Sequence, residues 1–257
     1  MKIQQFLRSI VAIFLIFNYI GISLIAKLLI SDEKERRRFF IQNGTRFCRI
    51  ALQVFRIDVK IENEERFHSR NHLIIANHLS YLDAMLFFHI LPTCFVTSME
   101  MKNTFFLGLM TELGGCLYVE RRTRENIQNE IKEISQALID NFDVTIFPEA
   151  TSTNGESILP FKRSLLKAAI DAKVPILPVT INYDKIDGIE VSKNNRDGLC
   201  WYGDMTFAPH FFQLTKYKNI QIRITAHEEI PTSEFSDRDI LAKEAHSIIS
   251  SHFRTFS

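Results

Sequence analysis

The sequence predicts an α/β fold: a mixed central sheet with helices on both faces, plus an N-terminal membrane-embedded helical anchor. Three observations predict it. Short β-branched or aromatic runs bounded by turn residues recur along the chain. Segments with a helical apolar period alternate with them. Residues 10–30 read IVAIFLIFNYIGISLIAKLLI, nearly free of charge.

The anchor comes first. About 20 apolar residues cross the hydrocarbon core of a bilayer as a helix. A cleavable signal would be shorter and end at a small-residue site, which is not evident here. Lys2 and Arg8 precede the segment, and Lys34, Arg36, Arg37 and Arg38 follow it, so charge sets no direction of crossing. Asn18, Tyr19, Ser23 and Lys27 interrupt the run, and Asn18 and Gly21 lie near its middle. Two forms are therefore expected: one helix, or a re-entrant pair with both ends cytoplasmic. The charged stretch 31–38 (SDEKERRR) reads as a linker, giving an anchor over 1–38 and a second domain over 39–257.

Within that domain, strands are expected at 54–61, 73–76, 94–97, 116–120, 144–147, 176–182 and 220–225. The clearest helix is 125–140, where Ile127, Ile131, Ile134 and Leu138 recur at three- and four-residue steps. Helices at 162–172 and 237–253 follow, the last opened by Ser236 with Asp239 three residues on. No glycine-rich nucleotide loop follows any strand, which disfavours a dinucleotide fold.

Composition narrows the function. The 257 residues carry 31 Lys and Arg against 30 Asp and Glu, without the basic excess of a nucleic-acid binder. Cys48, Cys94, Cys116 and Cys200 have neither metal-ligand nor redox spacing and read as reduced thiols. The 22 phenylalanines suit a thick core or a greasy surface equally.

Four clusters carry chemistry. The strand at 73–76 runs into Asn77-His78-Leu79-Ser80-Tyr81-Leu82-Asp83. On a continuous helix, five steps rotate about 500°, so His78 and Asp83 would not share a face. Ser80 followed by Asp83 is a helix-start pattern, which puts His78 in the strand-to-helix turn and Asp83 in the first helical turn. The turn can fold the imidazole onto the carboxylate, giving the base and orienter of a triad with the nucleophile supplied by substrate. A surface histidine beside a capping aspartate has the same spacing, and the pair alone does not choose. In the second cluster, the strand 144–147 ends in Pro148-Glu149-Ala150-Thr151-Ser152, with Glu149 where α/β sheets place ligands. Glu149 has three roles open: binding substrate hydroxyls, steadying the His78 turn, or sitting solvated in a loop. The third cluster ends a strand with Glu120, Arg121 and Arg122. Arginines there suit bidentate phosphate binding, and solubilising arginines fit equally. The fourth, Val174-Pro175-Ile176-Leu177-Pro178-Val179, reads as a strand lining a pocket.

In this order and spacing, the clusters resemble the lysophosphatidic acid acyltransferase family of glycerolipid acyltransferases. Asn77, His78 and Asp83 match its Asn-His-four residues-Asp motif. Gly115, Glu120 and Arg121 match its second motif, with Glu where Asp is commoner. Phe147, Pro148, Glu149 and Thr151 match its Phe-Pro-Glu-Gly-Thr-Arg-Ser motif, and residues 174–179 its fourth. Two departures stand out: Ala150 for the usual Gly, and Ser152 for the usual Arg. Ala adds a Cβ where the family allows close backbone approach or φ > 0. Residues 201–205 (WYGDM) with His210 are similar to bacterial branches that include lyso-ornithine lipid acyltransferases.

The resemblance implies an O-acyltransferase that moves a fatty-acyl group from acyl-CoA or acyl-carrier protein to the free hydroxyl of a lysophospholipid, lysophosphatidic acid first and lyso-ornithine lipid second. It implies His78 as general base and Asp83 as its orienter. Asn77, Arg121, Glu149, Thr151 and Lys162 are expected at the substrate; Arg121, Lys162 or Arg163 can stand in for the lost arginine, or else the acceptor has no phosphate beside its reacting hydroxyl. Backbone N–H groups near the His78 turn are the expected oxyanion donors. Neither metal nor redox cofactor is implied. Partners are membrane lipids, the lysolipid and the acyl donor, at the cytoplasmic face of the inner or plasma membrane. A thioester hydrolase and an inactive lipid-binding protein are the competing classes. No Gly-x-Ser-x-Gly turn supports the commonest serine hydrolase.

Overall fold

The structure, a computed structural model, describes residues 2–69, 71–120, 126–233 and 237–256. In chain order its helices and strands are α1 Lys2–Leu29, α2 Glu33–Phe55, β1 Ile57–Glu62, β2 Leu73–Ala76, α3 Leu82–Ile90, β3 Thr93–Ser98, α4 Met99–Lys102, α5 Phe105–Leu113, β4 Leu117–Val119, α6 Ile127–Ile139, β5 Asp143–Ile146, α7 Lys167–Ala172, β6 Ile176–Ile186, β7 Ile189–Glu190, α8 Phe207–Gln213, β8 Ile220–Ala226 and α9 Arg238–His252. The sheet runs β1-β8-β6-β2-β5-β3-β4, with β7 paired to β6. It is mixed, as expected: β6 pairs antiparallel with β8 and β7, and the other pairings are parallel. Helices pack in two groups, α1 with α2 and α2 with α3, and α6 with α7.

The central strands read as unbroken apolar runs because both faces are covered. All four residues of β2 are fully buried. Parallel pairing of β2 with β5 in the register Ile75–Ile146 sends both chains out of the sheet at the same edge. The His78 turn and the Glu149 turn are therefore neighbours. The Pro-bracketed strand differs from its expected role. Ile176, Leu177 and Val179 are fully buried, and the strand sits between β2 and β8 and lines neither cavity described below.

At the N-terminus one of the two expected forms is found, and the linker reading changes. The apolar segment is one unbroken helix, not a re-entrant pair: Asn18 donates to Phe14 O at 2.7 Å and the helix continues through Gly21. The stretch 31–38 is not a linker. Asp32 caps α2 by accepting from Glu35 N at 2.8 Å, and residues 33–38 form the start of that helix.

Of the polar interruptions of α1, Tyr19, Ser23 and Lys27 bond to the rest of the protein. Ser23 is fully buried and accepts from Asn43 Nδ2 of α2 at 2.9 Å. Tyr19 donates to Met110 O at 3.3 Å. Arg8 donates to Thr215 O and Tyr217 O at 3.2 and 2.6 Å, and Lys27 pairs with Glu112 at 2.5 Å. Both ends of the helix are thus tied to the domain. Phe6, Phe14, Phe17, Leu28 and Leu29 point outward and are more than half exposed.

Candidate active site

His78 and Asp83 meet as the helix-start pattern requires. Asp83 N donates to Ser80 O at 3.0 Å, opening α3, and its carboxylate turns back over the preceding loop. Oδ2 accepts from Leu79 N at 2.7 Å, from Ser80 N at 2.9 Å and from His78 Nδ1 at 2.8 Å. Oδ1 accepts from the Tyr183 hydroxyl at 2.7 Å. Asp83 is fully buried, and four donors offset the cost of removing its charge from water. Because the carboxylate accepts, Nδ1 carries the imidazole proton and Nε2 keeps its lone pair. The His78 ring stacks on Phe147 with centroids 4.1 Å apart and planes at 10°. Its side chain is 21% exposed, enough for a substrate atom to reach it.

Glu149 takes the second of its three possible roles, steadying the turn. It is 4% exposed; Oε1 accepts from His78 N at 2.7 Å and Oε2 from Leu159 N at 2.7 Å. Burial pushes its carboxyl up to about 7, against the two backbone donors that favour the anion. Thr153 N also donates to His78 O at 2.9 Å, so the histidine's backbone is held at both ends. The N–H groups of residues 78, 79 and 80 all point into carboxylates. Those three groups are therefore engaged and do not serve as oxyanion donors.

The other expected residues divide. Lys162 lines a polar cavity beside the site, and its N–H donates to Pro148 O at 2.7 Å. Asn77 does not face substrate. Its amide closes on β6, donating to Ile181 O at 3.0 Å and accepting from Ile181 N at 2.8 Å. It extends the β2–β6 ladder by one rung and is 1% exposed. Thr151 is exposed and lines neither cavity. Arg121 and Arg122 lie outside the described residues.

The departures in the third motif have structural consequences. Ala150 adopts φ +62°, the left-handed region that its usual glycine enters freely. Ser152 Oγ donates to Trp201 O at 2.5 Å, and Trp201 N donates to Leu79 O at 2.9 Å, so residue 201 bridges the two turns. Behind them His210 Nε2 donates to Cys200 O at 3.1 Å, which leaves Nδ1 to accept from the Tyr81 hydroxyl at 2.9 Å. Burial lowers the His210 pKa.

Two cavities meet at Phe147 and Val96, which line both. The first, about 300 Å³, is apolar and includes His78 in its wall. Its lining comes from α1 (Ala12, Ile16, Tyr19), α2 (Gly44, Phe47, Ala51), α3 (Met85, Phe88), α5 (Met110) and α8 (Phe207, Phe211). The second, about 390 Å³, is lined by Lys162, Arg163, Arg238, Glu120 and Glu130 with Pro148 and Ala150.

Sequence reasoning missed Tyr183 and the aromatic support of the ring. Tyr183 stands 100 positions from Asp83, and strand alternation gives only the face of the sheet it occupies.

Comparison with known proteins points to acyl transfer. The acyltransferase family profile matches residues 58–182. The lyso-ornithine lipid O-acyltransferase of Rhizobium meliloti is 25% identical over 197 residues, covering 74% of this chain and 67% of its own. The 1-acyl-sn-glycerol-3-phosphate acyltransferase of Neisseria meningitidis is 26% identical over 205 residues, covering 80% of this chain and 76% of its own. The crystal structure of the 1-acyl-sn-glycerophosphate acyltransferase PlsC from Thermotoga maritima shares the fold with a TM-score of 0.67 at 20% identity, over 97% of this chain and 95% of that one. Profile, relatives and fold converge: the chain is an acyltransferase whose residues 58–182 match that family, and it is similar to lysophosphatidic acid and lyso-ornithine lipid acyltransferases.

Proposed function

We propose that the enzyme moves a fatty-acyl group from acyl-CoA or acyl-carrier protein to the free hydroxyl of a lysophospholipid, with lysophosphatidic acid as acceptor and phosphatidic acid as product. One observation carries this reading: an imidazole with a free Nε2 lines an apolar cavity suited to an acyl chain and stacks on Phe147, which also borders a polar cavity bearing cations. His78 Nε2 removes the hydroxyl proton as the oxygen attacks the thioester carbonyl. The tetrahedral intermediate then expels the thiolate, which takes that proton back from the imidazolium. Asp83 holds the imidazole and balances its transient charge. Glu149 acts as a positioning residue through the His78 backbone, and no resident metal or cofactor enters these steps.

The outward apolar face of α1 supports residence in a membrane, with α1 lying along the domain because Arg8 and Lys27 tie both its ends. The four free thiols suit the cytoplasmic side. A second reading, a lyso-ornithine lipid acceptor, is favoured by Ser152 in place of the motif's arginine and by the Rhizobium relative.

The test is a product screen by mass spectrometry, with purified enzyme, a panel of lysolipids and both donor types. A diacyl product from lysophosphatidic acid is expected. Free fatty acid as the sole product would make the enzyme a hydrolase, and lysolipid binding without product would make it a silent binder.

A further inference from the structure

We infer that Arg238, the first residue of α9, receives the anionic head group of the acceptor and replaces the arginine missing from the third motif. This rests on the acyl-transfer reading above and deepens it.

The polar cavity borders Phe147 and Ala150, so a group bound there lies next to the His78 turn. Three cationic side chains among the described residues line it: Lys162, Arg163 and Arg238. Arg163 is already engaged, its guanidinium paired with Asp239 of α9. The side chains of Lys162 and Arg238 make neither a hydrogen bond nor an ion pair among the described residues. Glu130 on the facing wall directs Oε1 to the Glu120 N–H at 2.6 Å and so caps β4.

Ser152, at the motif's arginine position, is engaged elsewhere and lines neither cavity. The cation lost there reappears from another element. Arg238 lies beyond the matched profile, which ends at residue 182, so no motif reports it. A guanidinium presents parallel N–H donors that fit the oxygens of a phosphate or a carboxylate, and Lys162 adds a point charge. The ligand chemistry is therefore a lysolipid whose head group carries an oxyanion within reach of its reacting hydroxyl.

The experiment uses the full-length enzyme in mixed micelles, with Arg238→Ala and Arg238→Lys. The acceptors are lysophosphatidic acid, lyso-ornithine lipid and neutral monoacylglycerol. Arg238→Ala is expected to raise the KM for the anionic acceptor by about 10- to 100-fold, the range for a lost hydrogen bond to a charged group. The donor KM, the kcat and the melting temperature should stay near wild type. Arg238→Lys should recover part of the loss, and turnover of monoacylglycerol should not change. The acceptor that shows the effect identifies the oxyanion as phosphate or carboxylate. An unchanged acceptor KM in Arg238→Ala, with wild-type acyl transfer intact, would overturn the role of Arg238 and leave the reaction standing. Absence of acylated product from wild-type enzyme with every acceptor would overturn both.

Discussion

The two cavities that meet at Phe147 are built on different plans. The apolar one takes most of its wall from six helices that span the chain from Ala12 to Phe211. The polar one is assembled from strand ends, the Lys162 loop and the starts of α6 and α9. On the proposed reading, chain recognition depends on how helices pack, and head-group recognition on a few charged side chains. His78 lines the apolar cavity and stacks on Phe147, which borders both, so on that reading the two specificities can change separately while the chemistry stays fixed.

The largest effect tests the junction itself. His78→Ala should lower kcat by about 10³-fold, within the range for a positioned general base, with folding and micelle association unchanged. Turnover near wild type would separate the reaction from this turn. A substitution inside the apolar cavity should act on the donor alone. Ile16→Trp fills space in that wall, and each methylene it displaces forfeits about 0.8 kcal/mol. Competition between long and short acyl donors should then shift towards the short ones, while the acceptor KM holds. A parallel shift in acceptor KM would mean that the two cavities are coupled.

Glu149 supports the border between them, and its titration can be read directly. Its carboxyl is raised from the ordinary 4.5 to about 7, so the folded state holds its proton more tightly than the unfolded chain does. The stability from that proton is fully present below pH 4.5 and is lost as pH rises through about 7. Glu149→Gln cannot titrate, so the melting temperature of the variant should lose that fall between pH 4.5 and 7. Equal slopes in the two proteins would exclude Glu149 as its source. The smallest effect belongs to Ala150. A non-glycine residue in the left-handed region costs about 1–2 kcal/mol, and glycine's extra entropy returns about half of that. Ala150→Gly should raise the melting temperature by about 2 °C with kcat within about twofold of wild type; a lower melting temperature would show that the methyl packs favourably against the cavity.

Much of the fold was legible because buried strands announce themselves. All seven expected strands form: the central ones are apolar runs covered on both faces, and β1 and β8 alternate between a buried and a less buried face. The expected strand at 54–61 began too early because residues 54–55 finish α2. That helix was overlooked, although its cues are local: Asp32 caps it, and Ile41, Leu52 and Phe55 are buried along one side. α9 forms one residue inside its expected bounds, capped by Asp237, which accepts from Asp239 N at 2.7 Å. Ser236, the expected cap, lies outside the described residues.

At the site, the His78–Asp83 contact followed from turn chemistry within seven residues. The Asn77 reading failed because a motif reports that a side chain matters without saying to what; here it matters to Ile181. Tyr183 and the apolar cavity were illegible for a different reason. A cavity is the space left by side chains from distant segments, and no local period encodes it.

The tethers at Arg8 and Lys27 give α1 an orientation as well as an address. Roughly 28 Å of helix separates them at 1.5 Å per residue, so the greasy side forms a keel along the domain. With that keel seated in a bilayer, as proposed above, the enzyme would meet its lipids from the side. Its speed should follow the mole fraction of acceptor in the surface, and diluting that surface with inert lipid should slow it even when the bulk concentration is constant.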